Sequence, residues 1–135
     1  MRYFIYACPS RYRNDENMHD FEIVENFSYE EALDRAISLG YETIENYMRP
    51  EEEIYTREDY VADIGADEWD DDYEEDYYAS LDDVILDEIN YEVYEIKEET
   101  SSNIIRDLEM NRLSFKDFIK DYCYSATETI ARNAF

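Results

Sequence analysis

The 135-residue chain is poor in the residues that turn the backbone sharply, with only two Gly and two Pro. Glycine supplies the positive φ angles of tight β-hairpins, so the composition favours helices joined by longer connections. Positive charge is also scarce, since twelve Lys and Arg face thirty-seven Asp and Glu and leave a net charge of −25. Such a chain is repelled by phosphates, which excludes direct nucleic-acid binding of the ordinary, basic kind.

Residues that serve catalysis or soft-metal binding are few. The one His, His19, lies in a polar segment and is interpreted as structural or solvent-exposed. No glycine-rich phosphate loop, Gly-x-Ser-x-Gly elbow or His-Glu-x-x-His motif occurs. A calcium loop begun at Asp67 or Asp70 has Asp72 or Glu75 where the turn glycine is required. We therefore expect no enzyme activity, no cofactor and no specific metal site.

Export and membrane signals are lacking as well. The first residues have no basic region followed by a cleavage site, and no apolar run approaches the roughly 18 residues of a membrane span. Cys8 and Cys123 are far apart in the sequence. We expect both to be buried, reduced thiols in a cytoplasmic protein.

Apolar residues are nevertheless plentiful, with fifteen Tyr and six Phe, which predicts an ordered chain and one domain. Charge divides it into three segments. Residues 1–50 carry ten acids and five bases, residues 51–99 carry twenty-two and two, and residues 100–135 carry five and five. We interpret 1–50 as a strand-strand-helix scaffold, 51–99 as an acidic segment and 100–135 as a helical part.

The hydrophobic pattern predicts an α+β fold with a small sheet of about three strands packed by several helices. The nearly continuous apolar run Tyr3–Cys8 predicts a buried central strand. Alternation after Phe21 predicts a second strand that ends near Glu25. Aromatic and β-branched residues in 90–98 favour a third strand, although a continued helix stays open there.

Several helices are predicted from capping residues. Ser28 and Glu31 form a capping box before a helix that Arg49 and Pro50 end. Within it, Gly40 either admits a close neighbour or marks a C-cap. The other predicted N-terminal residues are Thr56 with Asp59, Ser80 with Asp83 after a kink, Ser102, Ser114, and Ser125 with Glu128 before a last helix through 130–135. In the helix from Thr56, residues Tyr60, Val61 and Ile64 are predicted to point inward.

The acidic segment is densest at 67–76, where eight carboxylates occur in ten residues. As a helix this run carries about one charge per 1.9 Å, and as a strand about one per 4 Å. Nucleic acids carry about one per 1.7 Å in a duplex and about one per 3.4 Å along one strand. Trp69, Tyr73 and Tyr77 recur at intervals of four, and the series continues through Leu81, Val84 or Ile85, and Ile89, which predicts an apolar stripe that anchors the segment. The alternative is a segment that stays loose until a partner orders it.

A small α+β chain with the run Asp67-Glu68-Trp69-Asp70-Asp71-Asp72-Tyr73-Glu74-Glu75-Asp76 resembles the acidic nucleic-acid mimics of bacteriophages and mobile elements, such as anti-restriction and anti-CRISPR proteins. The resemblance implies a non-enzymatic inhibitor in the bacterial host cytoplasm, often a dimer, that occludes the basic groove of a CRISPR or restriction nuclease. The partner-binding residues we expect are Asp67, Glu68, Asp70, Asp71, Asp72, Glu74, Glu75, Asp76, Tyr78, Asp82, Asp83, Asp87 and Glu88.

Two alternatives stay open. One is an interaction or adaptor module that uses a tyrosine-rich surface, in which Tyr78, off the apolar stripe, makes the contact. The other is a protein that responds to divalent cations through its carboxylates.

Overall fold

The computed structural model describes residues 1–134 of the chain. The strands are β1 (Arg2–Pro9), β2 (Asp20–Glu25) and β3 (Ile89–Glu95). The helices are α1 (Tyr29–Tyr47), α2 (Pro50–Glu53), α3 (Arg57–Asp63), α4 (Glu74–Glu88), α5 (Ser102–Glu109), α6 (Phe115–Tyr122) and α7 (Ala126–Arg132). Short 3₁₀ turns occur at Ser10–Tyr12, Glu16–Met18 and Asp71–Tyr73. The predicted α+β class is confirmed.

The three strands form an antiparallel sheet in the order β2-β1-β3. The predicted central strand is confirmed, because β1 pairs with both neighbours. Tyr3, Phe4, Ile5, Ala7 and Cys8 on this strand are fully buried. A strand covered on both faces has no solvent side, which explains its unbroken apolar sequence. The second and third predicted strands are confirmed as well.

Helix α1 begins as its capping box predicts. The Ser28 backbone N–H donates to Glu31 Oε1 at 3.1 Å, and the Glu31 N–H donates to Ser28 Oγ at 3.1 Å. The helix continues without interruption past Gly40. A Cβ on Gly40 would lie 2.2 Å from Ile89 Cγ2, so the glycine admits a close neighbour and is not a C-cap.

Three other local predictions differ from the structure. Ile64 is 45% exposed, because it is the C-cap of α3 and the chain turns away at Gly65 with φ of 73°. Helix α4 is continuous through Ser80, since one buried stripe suffices to hold it. Ser101 caps α5 in place of Ser102, and its Oγ accepts from the Ile104 N–H at 3.4 Å.

The other predicted caps are confirmed. Thr56 and Asp59 form a reciprocal capping box at the start of α3. Ser114 caps α6 and Ser125 caps α7. Helix α7 ends at Arg132, before the predicted end, and residue 135 lies outside the described residues. Helix α2, which begins at a proline, was not predicted.

A hydrophobic cluster lies where α5 and α6 pack together with β1. Its buried members are Phe4, Ile96, Leu108, Phe118 and Cys123. Burial raises the pKa of the Cys123 thiol to about 12. The other cysteine in the chain is also buried and unbridged, as predicted.

The chain divides into two compact units. We call residues 7–20 and 37–90 the acidic unit, and residues 1–6, 21–36 and the chain from 91 the second unit. The acidic unit holds twenty-three Asp and Glu against four Arg, a net charge of −19. The second unit holds fourteen acids against eight bases, a net charge of −6. Charge is therefore distributed by unit, and the acidic unit takes residues from both 1–50 and 51–99.

Candidate interaction surface of acidic side chains

The dense run at 67–76 is helical only in its second half. The chain is irregular up to Asp70, forms a 3₁₀ turn at Asp71–Tyr73 and enters α4 at Glu74. The Asp70 carboxylate caps the turn by accepting from the Asp72 N–H at 3.0 Å. The first turn of α4 consists of acids, and the positive end of the helix dipole stabilises carboxylates there. The order of residues in the run therefore favours a helix that begins near Glu74, with a capping Asp before it and acids in its first turn.

Helix α4 is anchored by the predicted apolar stripe. Tyr77, Leu81 and Ile85 recur at intervals of four and are all buried. The Tyr77 hydroxyl donates to the Tyr55 carbonyl oxygen at 2.7 Å. Burial, followed by the nearby Glu51 carboxylate, raises the pKa of Tyr77. The phenol therefore keeps its proton, and with it the donor, to a higher pH than an ordinary tyrosine does.

The upstream part of the stripe does not continue the helix but folds into an aromatic cluster. Trp69 and Tyr73 are half-buried, and their ring centroids lie 5.9 Å apart. Both rings meet Tyr60 edge-on, at 6.3 and 6.1 Å. Trp69 also meets Tyr77 edge-on at 5.6 Å. Each such pair contributes about 0.5–1.5 kcal/mol beyond its buried area, which offsets the repulsion between neighbouring carboxylates.

Most of the predicted partner-binding carboxylates face solvent. Eleven of the twelve are exposed: Asp67, Glu68, Asp70, Asp71, Asp72, Glu74, Glu75, Asp76, Asp82, Asp83 and Asp87. The same unit exposes further acids at 51–53, which sequence reasoning left out of the site. The sequence contains a pattern that could have indicated them, since three consecutive Glu follow Pro50.

Glu88, the twelfth carboxylate, is used within the unit. Its side chain is 17% exposed, and Oε1 accepts from Arg11 Nε at 2.8 Å and from the Arg11 backbone N–H at 3.2 Å. Arg11 also donates to the Glu53 carbonyl oxygen at 3.0 Å. The last turn of α4 has no base of its own, so Arg11 supplies the cation that a helix C-terminus favours. The hydrogen bond to Glu88 raises the pKa of Arg11. We assign Glu88 a structural role.

Glu95, an acid of the segment 51–99 that lies outside the expected partner-binding residues, is also internal. It is 1% exposed and belongs to the second unit. Its Oε2 accepts from Arg132 Nε at 2.7 Å, and its Oε1 accepts from Asn133 Nδ2 at 3.1 Å. Both carboxylate oxygens are thus satisfied by α7 and the residue that follows it.

Tyr78 is exposed, as its position off the stripe predicts, but its hydroxyl has a partner. Arg57 Nη2 donates to the Tyr78 hydroxyl at 3.0 Å, and Arg57 Nη1 lies 3.2 Å from Glu51 Oε2. The Arg57 guanidinium lies over the rings of Trp69, Tyr77 and Tyr78 at 5.3, 5.0 and 5.7 Å. Sequence reasoning missed Arg57, although it is the one base between residues 50 and 96. The cation–π contacts with these rings and the ion pair with Glu51 hold the Arg57 guanidinium in place.

The remaining candidate chemistry is sparse. Within residues 1–134, no group of three or more His, Cys, Asp or Glu is arranged to hold a metal ion. His19 Nε2 lies 3.0 Å from the Arg13 carbonyl oxygen, as expected of a structural histidine. No helix among the described residues is both long and apolar enough to span a bilayer.

Comparison with known proteins gives no relative. No protein-family model matches the chain, and no curated protein or solved structure matches it.

Proposed function

We propose that the protein is a non-enzymatic inhibitor whose acidic unit imitates the charge of a nucleic acid. It occludes the basic groove of a nucleic-acid-binding protein, such as a CRISPR effector or restriction nuclease, in a bacterial cytoplasm. The observation that carries the proposal is the exposure of all eight carboxylates of 67–76 on a segment anchored by buried aromatic rings.

The spacing of charge supports this proposal. Helix α4 has fifteen residues and seven acids, of which all but Glu88 are exposed, so it presents about one exposed carboxylate per 4 Å along roughly 22 Å of axis. A single nucleic-acid strand carries about one phosphate per 3.4 Å. A basic groove shaped for a polynucleotide would meet a similar line of charge on α4.

The anchoring of α4 by buried side chains also supports the proposed mimicry. A loose acidic tail loses conformational entropy when it is bound, whereas a preformed surface avoids most of that cost. Tyr77 and its stripe hold α4 in place before any partner is present. Concentrating a net charge of −19 in one unit also favours rapid, electrostatically steered association with a basic partner.

The test is capture from bacterial lysate, with elution by a salt gradient and identification of any basic nucleic-acid-binding protein. The variant reverses Asp72, Glu75, Asp82 and Asp83 to Lys, and these exposed side chains cap nothing. A captured target is then assayed for binding to its own nucleic acid in the presence of the inhibitor. We expect wild type to compete with that nucleic acid at moderate salt and the reversed variant to fail.

A matched control makes the same change of charge in the second unit. It reverses Glu98, Glu99, Glu109 and Asp121 to Lys, all of them exposed. Both variants have a net charge eight units less negative than wild type. Equal loss of inhibition by the two would show a general charge effect, and full inhibition by the first variant would contradict mimicry.

An adaptor function that uses Tyr78 is the second candidate. It is favoured by the exposure of this ring, which is 37% accessible beside the Arg57 guanidinium. Comparison of the Tyr78→Ala variant with the variant that reverses the four acids distinguishes the two proposals. An adaptor would lose its partner through Tyr78→Ala and keep it after reversal of the four acids.

A further inference from the structure

A groove in the acidic unit lies between α3 and the segment 66–69. Its volume is about 690 Å³, which is within the range of about 300–1,000 Å³ found for ligand sites. Its apolar lining, which we call the floor, consists of Val61, Ala62, Ala66 and the Trp69 ring. The two alanines leave the space open, because larger side chains at these positions would fill it. The groove can therefore accept more than one side chain of a partner.

The rim of the groove has the opposite character. Glu58, Asp67 and Glu68 line it and are all exposed. Arg57 also reaches the groove, but its guanidinium is bound to Glu51 and to the Tyr78 hydroxyl. Three carboxylates thus surround an apolar floor.

We propose that this groove receives a short segment of the target protein in which apolar side chains lie between basic ones. The inference rests on the proposed function and names the chemistry of the partner at one part of the same surface. Apolar side chains would cover Val61 and Trp69, while flanking Lys or Arg side chains would meet the carboxylates of the rim. A nucleic acid or an anionic lipid surface is repelled by that rim. A second copy of this chain, with its net charge of −25, brings like charge.

The groove would give the protein selectivity among basic partners, which imitation of charge does not provide. Charge alone attracts any basic protein, whereas an apolar floor discriminates between basic partners by the side chains that they carry. Aromatic residues at the centre of an interface, surrounded by polar groups, are the usual sites of strong contacts. Trp69 is the aromatic residue that lines this groove, together with the three carboxylates.

The groove can be tested without the target, because Trp69 is the only Trp and reports on its own surroundings. The probes are the peptides acetyl-Lys-Leu-Leu-Lys-amide and acetyl-Lys-Ser-Ser-Lys-amide, which have equal charge. We expect the leucine peptide to change Trp69 fluorescence at a concentration about tenfold or more below that of the serine peptide, since partial burial of one leucine is sufficient for such a ratio.

Two variants locate the effect. Ala62→Leu fills the floor at an exposed helical position and is expected to weaken binding of the leucine peptide about tenfold. Ala79→Leu makes the same change at an exposed position on α4 outside the groove and should bind as wild type does. Circular dichroism verifies that each variant is folded. The double neutralisation Asp67→Asn with Glu68→Gln should weaken both peptides.

Equal binding of the two peptides, or no change in Trp69 fluorescence with either, would overturn the inference. Wild-type binding of the leucine peptide by Ala62→Leu would overturn it too. These results are independent of charge reversal on α4 and capture from lysate. A failure of the groove therefore leaves nucleic-acid mimicry standing, and a failure of mimicry is seen only in the inhibition assay.

Discussion

Removal of the Tyr77 hydroxyl tests whether buried aromatic side chains hold the acidic surface in place. The Tyr77→Phe change keeps the ring and deletes the donor that lies 2.7 Å from the Tyr55 carbonyl oxygen. Loss of one hydrogen bond with a partly buried acceptor left unpaired costs about 1–2 kcal/mol. Tyr77→Leu also removes ring contacts with Trp69, Tyr60 and Tyr55 at 5.6, 5.9 and 6.0 Å, which raises the cost to about 3–4 kcal/mol.

Urea unfolding followed by circular dichroism measures both costs. With a slope of about 1–3 kcal/mol per molar urea, Tyr77→Phe should lower the midpoint by about 0.5–1 M. Tyr47→Phe is the matched control, because its hydroxyl donates to Asp20 at 3.0 Å from an exposed position and its loss should cost about 0.5 kcal/mol or less. Equal costs for the two phenylalanine variants would show that the buried hydrogen bond of Tyr77 does not anchor α4. Unfolding of Tyr77→Leu at the wild-type midpoint would show the same for its ring contacts.

Two further predictions concern packing and pH. Gly40→Ala should destabilise the protein by about 1–2 kcal/mol, because the new methyl group meets Ile89 Cγ2 at 2.2 Å. In an Ile89→Ala background, which removes Cγ1 and Cγ2 and leaves Cβ at 3.2 Å, the same change should cost about 0.5 kcal/mol or less, and a double-mutant cycle by urea unfolding would show this coupling. Burial and then the hydrogen bond to Asp63 raise the pKa of Tyr55 to about 12. This contribution to stability is complete below pH 10 and is lost as pH rises to about 12, so Tyr55→Phe should lose less stability than wild type between these values. A parallel decline in the two proteins would contradict that assignment.

The proposed interaction would combine two forces that respond differently to salt. The exposed carboxylates of α4 would attract a basic partner at long range, and that attraction would weaken with salt. The groove between α3 and 66–69 would add a short-range apolar contact that is much less sensitive to salt. A partner that used both would remain bound at salt concentrations that release one held by charge alone.

Sequence alone predicted the features that depend on near neighbours in the chain. Capping boxes at Ser28 and Thr56 involve residues three apart, so the starts of α1 and α3 depend only on nearby residues in the chain. The buried stripe from Tyr77 follows from helical periodicity, and the central position of β1 follows from its continuous apolar run. The exposure of the acidic run follows from the cost of burying unpaired charge.

Contacts between distant parts of the chain determine which acids remain exposed. Glu88 and Asp87 are adjacent and chemically alike, yet only Glu88 is taken up, by an arginine 77 positions away. Glu95 is likewise withdrawn by an arginine 37 positions away. Arg57 receives its aromatic surroundings from Trp69, 12 residues further along, because the chain folds back before α4. An ion pair or a groove depends on distances in space between residues that are distant in sequence, and no local pattern of charge or periodicity encodes those distances.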